Sequence, residues 1–378
     1  MMTKSIVASN AVGVFDDPWN FYDFDRESLE KLFATIHEPA FRARQLMQWI
    51  YHRRITNVEN MTNLSLALRT RLKASISFDL PSIKSHQLSK DGTHKWLLEL
   101  PDGNTIETVF IPENRRGTLC VSSQAGCALN CAFCATGLQG FSRNLSAAEI
   151  IGQVLLSQNA LDSGSGSLRN ITNVVMMGMG EPLLNYDAVV TAMRLMTDDL
   201  SLGLSRRRVT LSTAGLVPAI DRLSKECRVS LAVSLHATDD DLRNKLVPIN
   251  RKYPIAKLIE ACRRYSSRDI GGHVTFEYIM LDGINDSKKQ ALELCSLIGD
   301  ISAKVNLIPF NEVQGTPYRR SSQNNIDAFR NVLLDADIMT ITRKTRGIDI
   351  DAACGQLSGT AQRRPQSRTT IDPSDNVK

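Results

Sequence analysis

Apolar positions recur at helical spacing early in the chain and give way to short β-branched runs later. From Ser28 onward, Leu29, Leu32, Phe33 and Ile36 share one helical face. A second helix is predicted over 41–52, with Leu46, Trp49 and Ile50 on one face and Arg42, Arg44 and Gln45 on another. A third runs over 64–76 through Leu64, Leu66, Leu68, Leu72 and Ile76. This places a small helical domain at 25–84 behind a flexible N-terminal segment, 1–24. Residues 95–100 and 105–111 read as strands around Pro101-Asp102-Gly103, a β-hairpin within 85–117.

A βα rhythm begins at residue 118. Strands are predicted at 118–123, 171–177, 208–213, 229–235, 274–280 and 304–309, with helical patterns at 147–159, 216–225, 255–265, 288–298 and 326–334. Six such units imply an α/β core over 118–345, with a parallel sheet and helices outside. Ser146 and Glu149 form a capping-box pattern before the first of these helices. A Gly/Ser loop at 162–167, a C-terminal loop at 346–360 and a polar, disordered tail at 361–378 complete the expected layout. In parallel α/β folds chemistry gathers at the C-terminal strand ends. Gly178-Met179-Gly180-Glu181-Pro182, Ser212-Thr213-Ala214-Gly215, Ser234-Leu235-His236 and Pro309-Phe310-Asn311 all fall there.

Composition narrows the class only a little. The 378 residues are 42% hydrophobic and 22% charged, as in ordinary globular proteins. No run approaches the roughly 18 apolar residues of a membrane span, and the first residues lack a secretory h-region. A cytoplasmic location without membrane contact is therefore expected, where eight cysteines favour metal or redox chemistry. The net charge of +5 does not diagnose nucleic-acid binding. Local clusters say more: Arg115-Arg116, Arg206-Arg207-Arg208, Arg251-Lys252, Arg263-Arg264, Arg319-Arg320 and Arg343-Lys344 with Arg346. Each is either solvated surface or a phosphate-docking point.

Three cysteines carry the sharpest signal. Cys127, Cys131 and Cys134 are spaced C-x3-C-x2-C, with Phe133 before the last. Three thiolates hold three corners of a [4Fe–4S] cube and leave the fourth iron open to a small molecule. The competing reading is a zinc site closed by a fourth ligand. In the Gly178–Pro182 run, the glycines permit close backbone approach and Glu181 supplies an anion for an ammonium group.

These motifs resemble the radical-SAM superfamily, whose fold would be a partial (β/α)6 TIM-like barrel. A more specific likeness covers roughly residues 25–360. It rests on Cys120 through Cys127, residues 174–182, 208–215, Ser234-Leu235-His236-Ala237, and Arg343 through Gly347 with Asp351 through Leu357. These resemble the RlmN family, radical-SAM methyltransferases that act on adenine C2 in 23S rRNA and tRNA. The resemblance implies a [4Fe–4S] cluster on Cys127, Cys131 and Cys134. It implies S-adenosyl-L-methionine (SAM) held by Gly180, Glu181, Ser212, Ser234, Leu235, His236 and Asn311. Cys354 would be the methyl carrier, Cys120 its disulfide-forming partner and Glu107 the proton acceptor. Two SAM molecules would be used per methylation, with a donor such as flavodoxin supplying electrons to a monomeric enzyme. Without the resemblance, Glu107 reads as an exposed strand residue and Cys120 as a core residue. Cys227, Cys262 and Cys295 read as small hydrophobes. The rival functions are adenine-C8 methylation on the same scaffold and a non-catalytic RNA-binding protein with a structural metal.

Overall fold

Ten strands form one continuous sheet whose spatial order follows the chain. They are β1 (Ser82–Leu88), β2 (His94–Glu99), β3 (Thr105–Glu113), β4 (Arg116–Cys120), β5 (Asn173–Met176), β6 (Val209–Thr213), β7 (Ser230–Ser234), β8 (Val274–Met280), β9 (Ala303–Pro309) and β10 (Thr340–Thr342). The computed structural model describes residues 18–162, 170–267 and 274–359. Of the flexible start expected at 1–24, residues 1–17 lie outside the described residues, while Phe21 and Tyr22 are buried, so its described end is packed rather than loose. The Gly/Ser loop expected at 162–167 lies outside them beyond Asp162, as does the tail from residue 360.

Strands β1 to β4 pair antiparallel. From β4 to β10 every neighbour is parallel. The six expected core strands are present, and β10 adds a seventh at the edge. The sheet ends at β1 and β10, which are not neighbours, so the barrel is open among the described residues. The expected hairpin is the middle of a longer meander. Its first strand, β1, is exposed along its whole length, so no alternation marks it in the sequence.

Helices α1 (Arg26–Thr35), α2 (Ala40–Met47) and α3 (Leu66–Ser75) form the N-terminal domain. Helices α4 (Ala147–Asp162), α5 (Tyr186–Thr197), α6 (Val217–Glu226), α7 (Ile255–Tyr265), α8 (Lys288–Ile298) and α9 (Gln323–Asp335) alternate with the parallel strands. The α7 sequence shows why they pack. Ile255, Leu258, Ile259 and Cys262 are buried, while Arg263 and Arg264 point outward to Asp300 and Asp221. Each fully buried Leu or Ile side chain contributes roughly 1.5–3 kcal/mol. The capping box before α4 is realised both ways, with Glu149 N–H on Ser146 Oγ and Ser146 N–H on Glu149 Oε2.

Two aspartates tie the N-terminal domain to the core. Asp25 caps α1 through the Ser28 N–H and takes Arg194 of α5 on its other oxygen at 3.0 Å. Asp23 accepts the Ala148 N–H at the start of α4. No helix among the described residues is long and apolar enough to cross a membrane.

Candidate active site

The C-terminal ends of the parallel strands enclose a cavity of about 1010 Å³, its open mouth included. Cys127, Cys131 and Cys134 line it, as do Gly180, Glu181, Ser212, Ser234 and His236. The loop from β4 carries the cysteines. It turns back through Asn130 at φ 52° and closes with the Cys134 N–H on the Cys131 carbonyl at 3.2 Å. A short helix, Ala135–Gln139, starts directly behind Cys134.

The glycine-rich turn after β5 is stitched to the segment leading into those cysteines. Ser123 and Gln124 donate backbone N–H groups to the Met179 carbonyl. Met179 N–H donates to Ser122 Oγ, and Glu181 N–H to Gln124 Oε1 at 2.8 Å. A Cβ on Gly178 would stand 2.7 Å from Ser122 Oγ, and one on Gly180 2.5 Å from Gln124 Cβ. Gly180 also holds φ +98°, so both positions require glycine. Buried Gln153 of α4 clamps Ser122 from behind, accepting its N–H and donating to its carbonyl. Ser122, Gln124 and Gln153 are polar and wholly enclosed, and their sequence context gives no sign of it.

Glu181 is buried at the cavity wall. Burial pushes its carboxyl up to about 7 against the N–H groups of Ala214 and Leu183, which favour the anion. An arriving ammonium group would restore its charge. His236 is held neutral, its pKa lowered to about 3 by burial and then by the Arg243 charge. Its Nδ1 accepts the Ile279 N–H at 3.1 Å, which leaves the proton on Nε2. The ring meets Phe133 edge-on at 4.8 Å. His236 stands at φ 63°, and Asn285 supports that backbone by donating to its carbonyl. Leu235 lies behind the wall, fully buried, with its N–H on the Glu277 carbonyl.

Cys354 arrives from the far end of the chain. Its loop is strapped across the mouth by the Ala135 N–H on the Gly355 carbonyl at 2.8 Å and by Thr136 Oγ1 on the Leu357 carbonyl at 2.6 Å. Asn311 stands on the rim and donates to the Cys354 carbonyl at 3.2 Å. Cys354 is exposed at the mouth, and the protein packed around it still pushes its thiol up to about 11, with Arg343 opposing the rise. Burial takes the Cys120 thiol to about 12; charge on Cys354 disfavours its ionisation further, and Arg343 opposes this. Arg343 therefore serves both thiols. Its guanidinium lies 3.8 Å from Glu277, whose second carboxylate contact is Asn306 Nδ2 at 2.9 Å. Arg343 belongs to the cavity wall, not to the solvated clusters where its sequence context places it. Glu107 is buried, which corrects the exposed-strand reading. It pairs with Lys95 at 3.1 Å and accepts the Ser358 N–H at 2.8 Å. It sits beneath the Cys354 loop and off the cavity lining. All eight cysteines are free thiols, so no standing disulfide joins Cys120 to Cys354. Cys227 and Cys262 are buried as expected of small hydrophobes, and Cys295 is half-buried.

The donor set fits an iron–sulfur cluster. A cubane takes thiolates at separate corners, and Cys127, Cys131 and Cys134 share this cavity, with Cys354 joining them from the distant C-terminal loop. Burial raises the Cys127 thiol to about 12 and the Cys131 thiol well above its ordinary value, so iron must displace their protons.

Comparison with known proteins agrees with this chemistry. The ribosomal RNA large subunit methyltransferase N-terminal domain family matches residues 19–77. The Radical SAM superfamily matches residues 121–295. The crystal structure of a radical SAM methyltransferase from Sphaerobacter thermophilus is 44% identical, with a TM-score of 0.81, covering 90% of this chain and 99% of that one. Streptococcus suis SuiB is far more distant, at 15% identity and a TM-score of 0.44, over 60% of this chain and 49% of its own. The two domain matches and the near full-length likeness place this chain in the RlmN family of radical-SAM methyltransferases.

Proposed function

We propose that this RNA methyltransferase modifies C2 of adenosine in 23S rRNA and in tRNA through an S-methylcysteine on Cys354. The observation that carries the reading is the placement of Cys354: strapped over the cysteine-lined cavity, with Arg343 acting on both its thiol and that of Cys120. Adenine C2 lies between two ring nitrogens and is too electron-poor to attack a sulfonium methyl. The cluster and SAM supply one-electron cleavage of a carbon–sulfur bond, which gives the carbon radical such a position needs.

The protein's own groups do the rest. Arg343 favours the Cys354 thiolate, which displaces a methyl group from a first SAM. Ser212, Ser234, His236 and Glu181 orient the second SAM, with Leu235 and Asn311 supporting from behind the wall and the rim. The carbon radical derived from the second SAM would take one hydrogen from the Cys354 S-methyl group, and the resulting methylene carbon bonds to C2; Glu107 then accepts the C2 proton, releasing the Ser358 N–H to do so. The Cys120 thiolate then attacks Cys354 sulfur. That sulfur–carbon bond breaks, a disulfide forms, the freed methylene carbon takes up a proton to complete the methyl group, the one surplus electron of the adduct would return to the cluster, and the methylated base leaves. An external one-electron donor of the flavodoxin type, a cytoplasmic setting and a monomeric state complete the proposal. The target base must leave its stack to reach the mouth, so a loop or bulge is the expected context.

Anaerobically reconstituted enzyme is to be assayed on 23S rRNA fragments and on tRNA, with product nucleosides resolved by mass spectrometry. The expected product from both is 2-methyladenosine. An 8-methyl product, or none with either RNA, would overturn the reading.

A further inference from the structure

Arg243 is a buried cation without a carboxylate on its guanidinium. It sits on the short helix Asp240–Leu246 after β7 and is fully enclosed. The guanidinium donates to the carbonyls of Leu235 at 3.0 Å, Ala214 at 2.7 Å and Ser234 at 2.9 Å, and to Asn250 Oδ1 at 2.7 Å. None of these acceptors carries a formal charge. Asp240 is exposed and meets the Nδ2 of Asn250 instead. Burial lowers the Arg243 pKa to about 10, and the group stays protonated at neutral pH.

Its position is specific. Ala214 and Ser234 line the cavity together with Cys131. The same helix reaches the cysteine loop, where Ala132 N–H donates to the Leu246 carbonyl at 3.0 Å. Cys131 is the thiol whose charge acts most on Arg243. Neutral donors would satisfy four such acceptors. Burying a guanidinium for that purpose alone carries a large desolvation cost. A neighbouring group that gains negative charge offsets it.

We propose that Arg243 is a fixed counter-charge that favours the reduced form of the cluster. The inference rests on the radical-SAM reading of the site. In the step concerned, a flavin hydroquinone donor becomes a semiquinone and the cluster passes from [4Fe–4S]2+ to [4Fe–4S]+. No bond or proton changes at Arg243. Its charge stabilises the added electron, and its four hydrogen bonds hold the charge in place.

The test separates charge from clamping. Asn250→Asp, made together with Asp240→Asn so that an amide donor faces the new carboxylate, keeps the hydrogen bond to Arg243 and adds a neutralising carboxylate, giving up the Nδ2 hydrogen bond to Asn244; this pair is meant by Asn250→Asp below. Arg243→Lys keeps charge and loses the fork. Reconstituted proteins without SAM are titrated with dithionite and followed by electron paramagnetic resonance. Asn250→Asp is expected to lower the reduced-to-oxidised ratio about tenfold at fixed potential, about 59 mV for one electron. Arg243→Lys is expected to stay within about twofold of wild type, about 18 mV on the same scale. A cluster-loaded Asn250→Asp protein titrating like wild type overturns the proposal. Should Asn250→Asp load no cluster, Arg243→Gln is compared with Arg243→Lys: a shift in Gln alone supports the proposal, and equal or absent shifts overturn it. Wild-type protein that takes up no cluster refutes the underlying functional reading instead.

Discussion

The Ala135 N–H donates to the Gly355 carbonyl at 2.8 Å, so the residue after Cys134 holds the residue after Cys354. One hydrogen bond thus registers two distant parts of the chain against each other. Gly355 stands at φ +87°, and the nearest atom to an added Cβ is the Phe133 carbonyl oxygen at 3.8 Å. Space is available, so Gly355→Ala acts through the backbone and costs about 1–2 kcal/mol. The loop is expected to relieve that strain by moving Cys354. Methyl transfer in single-turnover assays should fall at least tenfold while cluster absorbance stays normal. Unchanged turnover would show that the registration is not needed.

Cys354→Ala is expected to abolish methylation and leave no protein–RNA adduct. Cys120→Ala should instead trap the adduct, visible as a retarded band on a denaturing gel. The contrast follows from their places, Cys354 at the mouth and Cys120 on β4 within reach of the Arg343 charge. Absence of any adduct in the second variant argues against Cys120 as the resolving group.

His236 makes the metal-free protein acid-sensitive. Burial, then the Arg243 charge, lowers its pKa from 6.5 to about 3. Between these values the unfolded chain binds a proton that the folded chain does not. Stability therefore rises with pH through this window and is lost as pH falls from about 6.5 toward 3, by at most about 1.4 kcal/mol per unit. His236→Asn tolerates the same left-handed backbone. Urea unfolding at pH 5 and pH 7 should show a smaller pH difference in this variant than in wild type.

Parallel strands put all their C-terminal ends on one side, and this sorts the arginine clusters. Arg206–Arg208 immediately precede β6 and so lie at the end opposite the cavity. Exposed Arg319 and Arg320 follow β9 and lie on the cavity side. Arg319→Gln with Arg320→Gln is expected to weaken RNA binding and reduce its salt slope by about 0.7–0.9 for each phosphate no longer neutralised. Arg206→Gln with Arg207→Gln should leave both unchanged in filter-binding titrations.

The parallel core was legible because its strands are short apolar runs buried on both faces, such as Leu231, Ala232 and Val233. The cysteine spacing and the glycine-rich turn were legible because their chemistry tolerates few other residue types. Other parts left no trace. Strand β1 is solvated throughout, so its pairing with β2 has no side-chain period. Arg243, Glu277 and Arg343 are charged residues within the protein interior or cavity wall, where hydropathy predicts the opposite. Their places are explained only in three dimensions, by the carbonyls around Arg243, the thiols beside Arg343, and Asn306 with Arg343 beside Glu277. Helix α5, behind the glycine-rich turn, is expected from the βα rhythm without a stated range, and Val189, Val190, Met193 and Met196 keep helical spacing along its buried face.

The late arrival of Cys354 divides labour along the polypeptide. On the proposed reading, the groups that would hold iron and sulfonium lie at the strand ends and in the loops that follow them, whereas the acceptor sulfur would ride on an appended strap. Such an assembly is modular: severing the strap beyond Gly347 should leave an idling machine that still consumes its co-substrate but has nowhere to deposit a one-carbon unit.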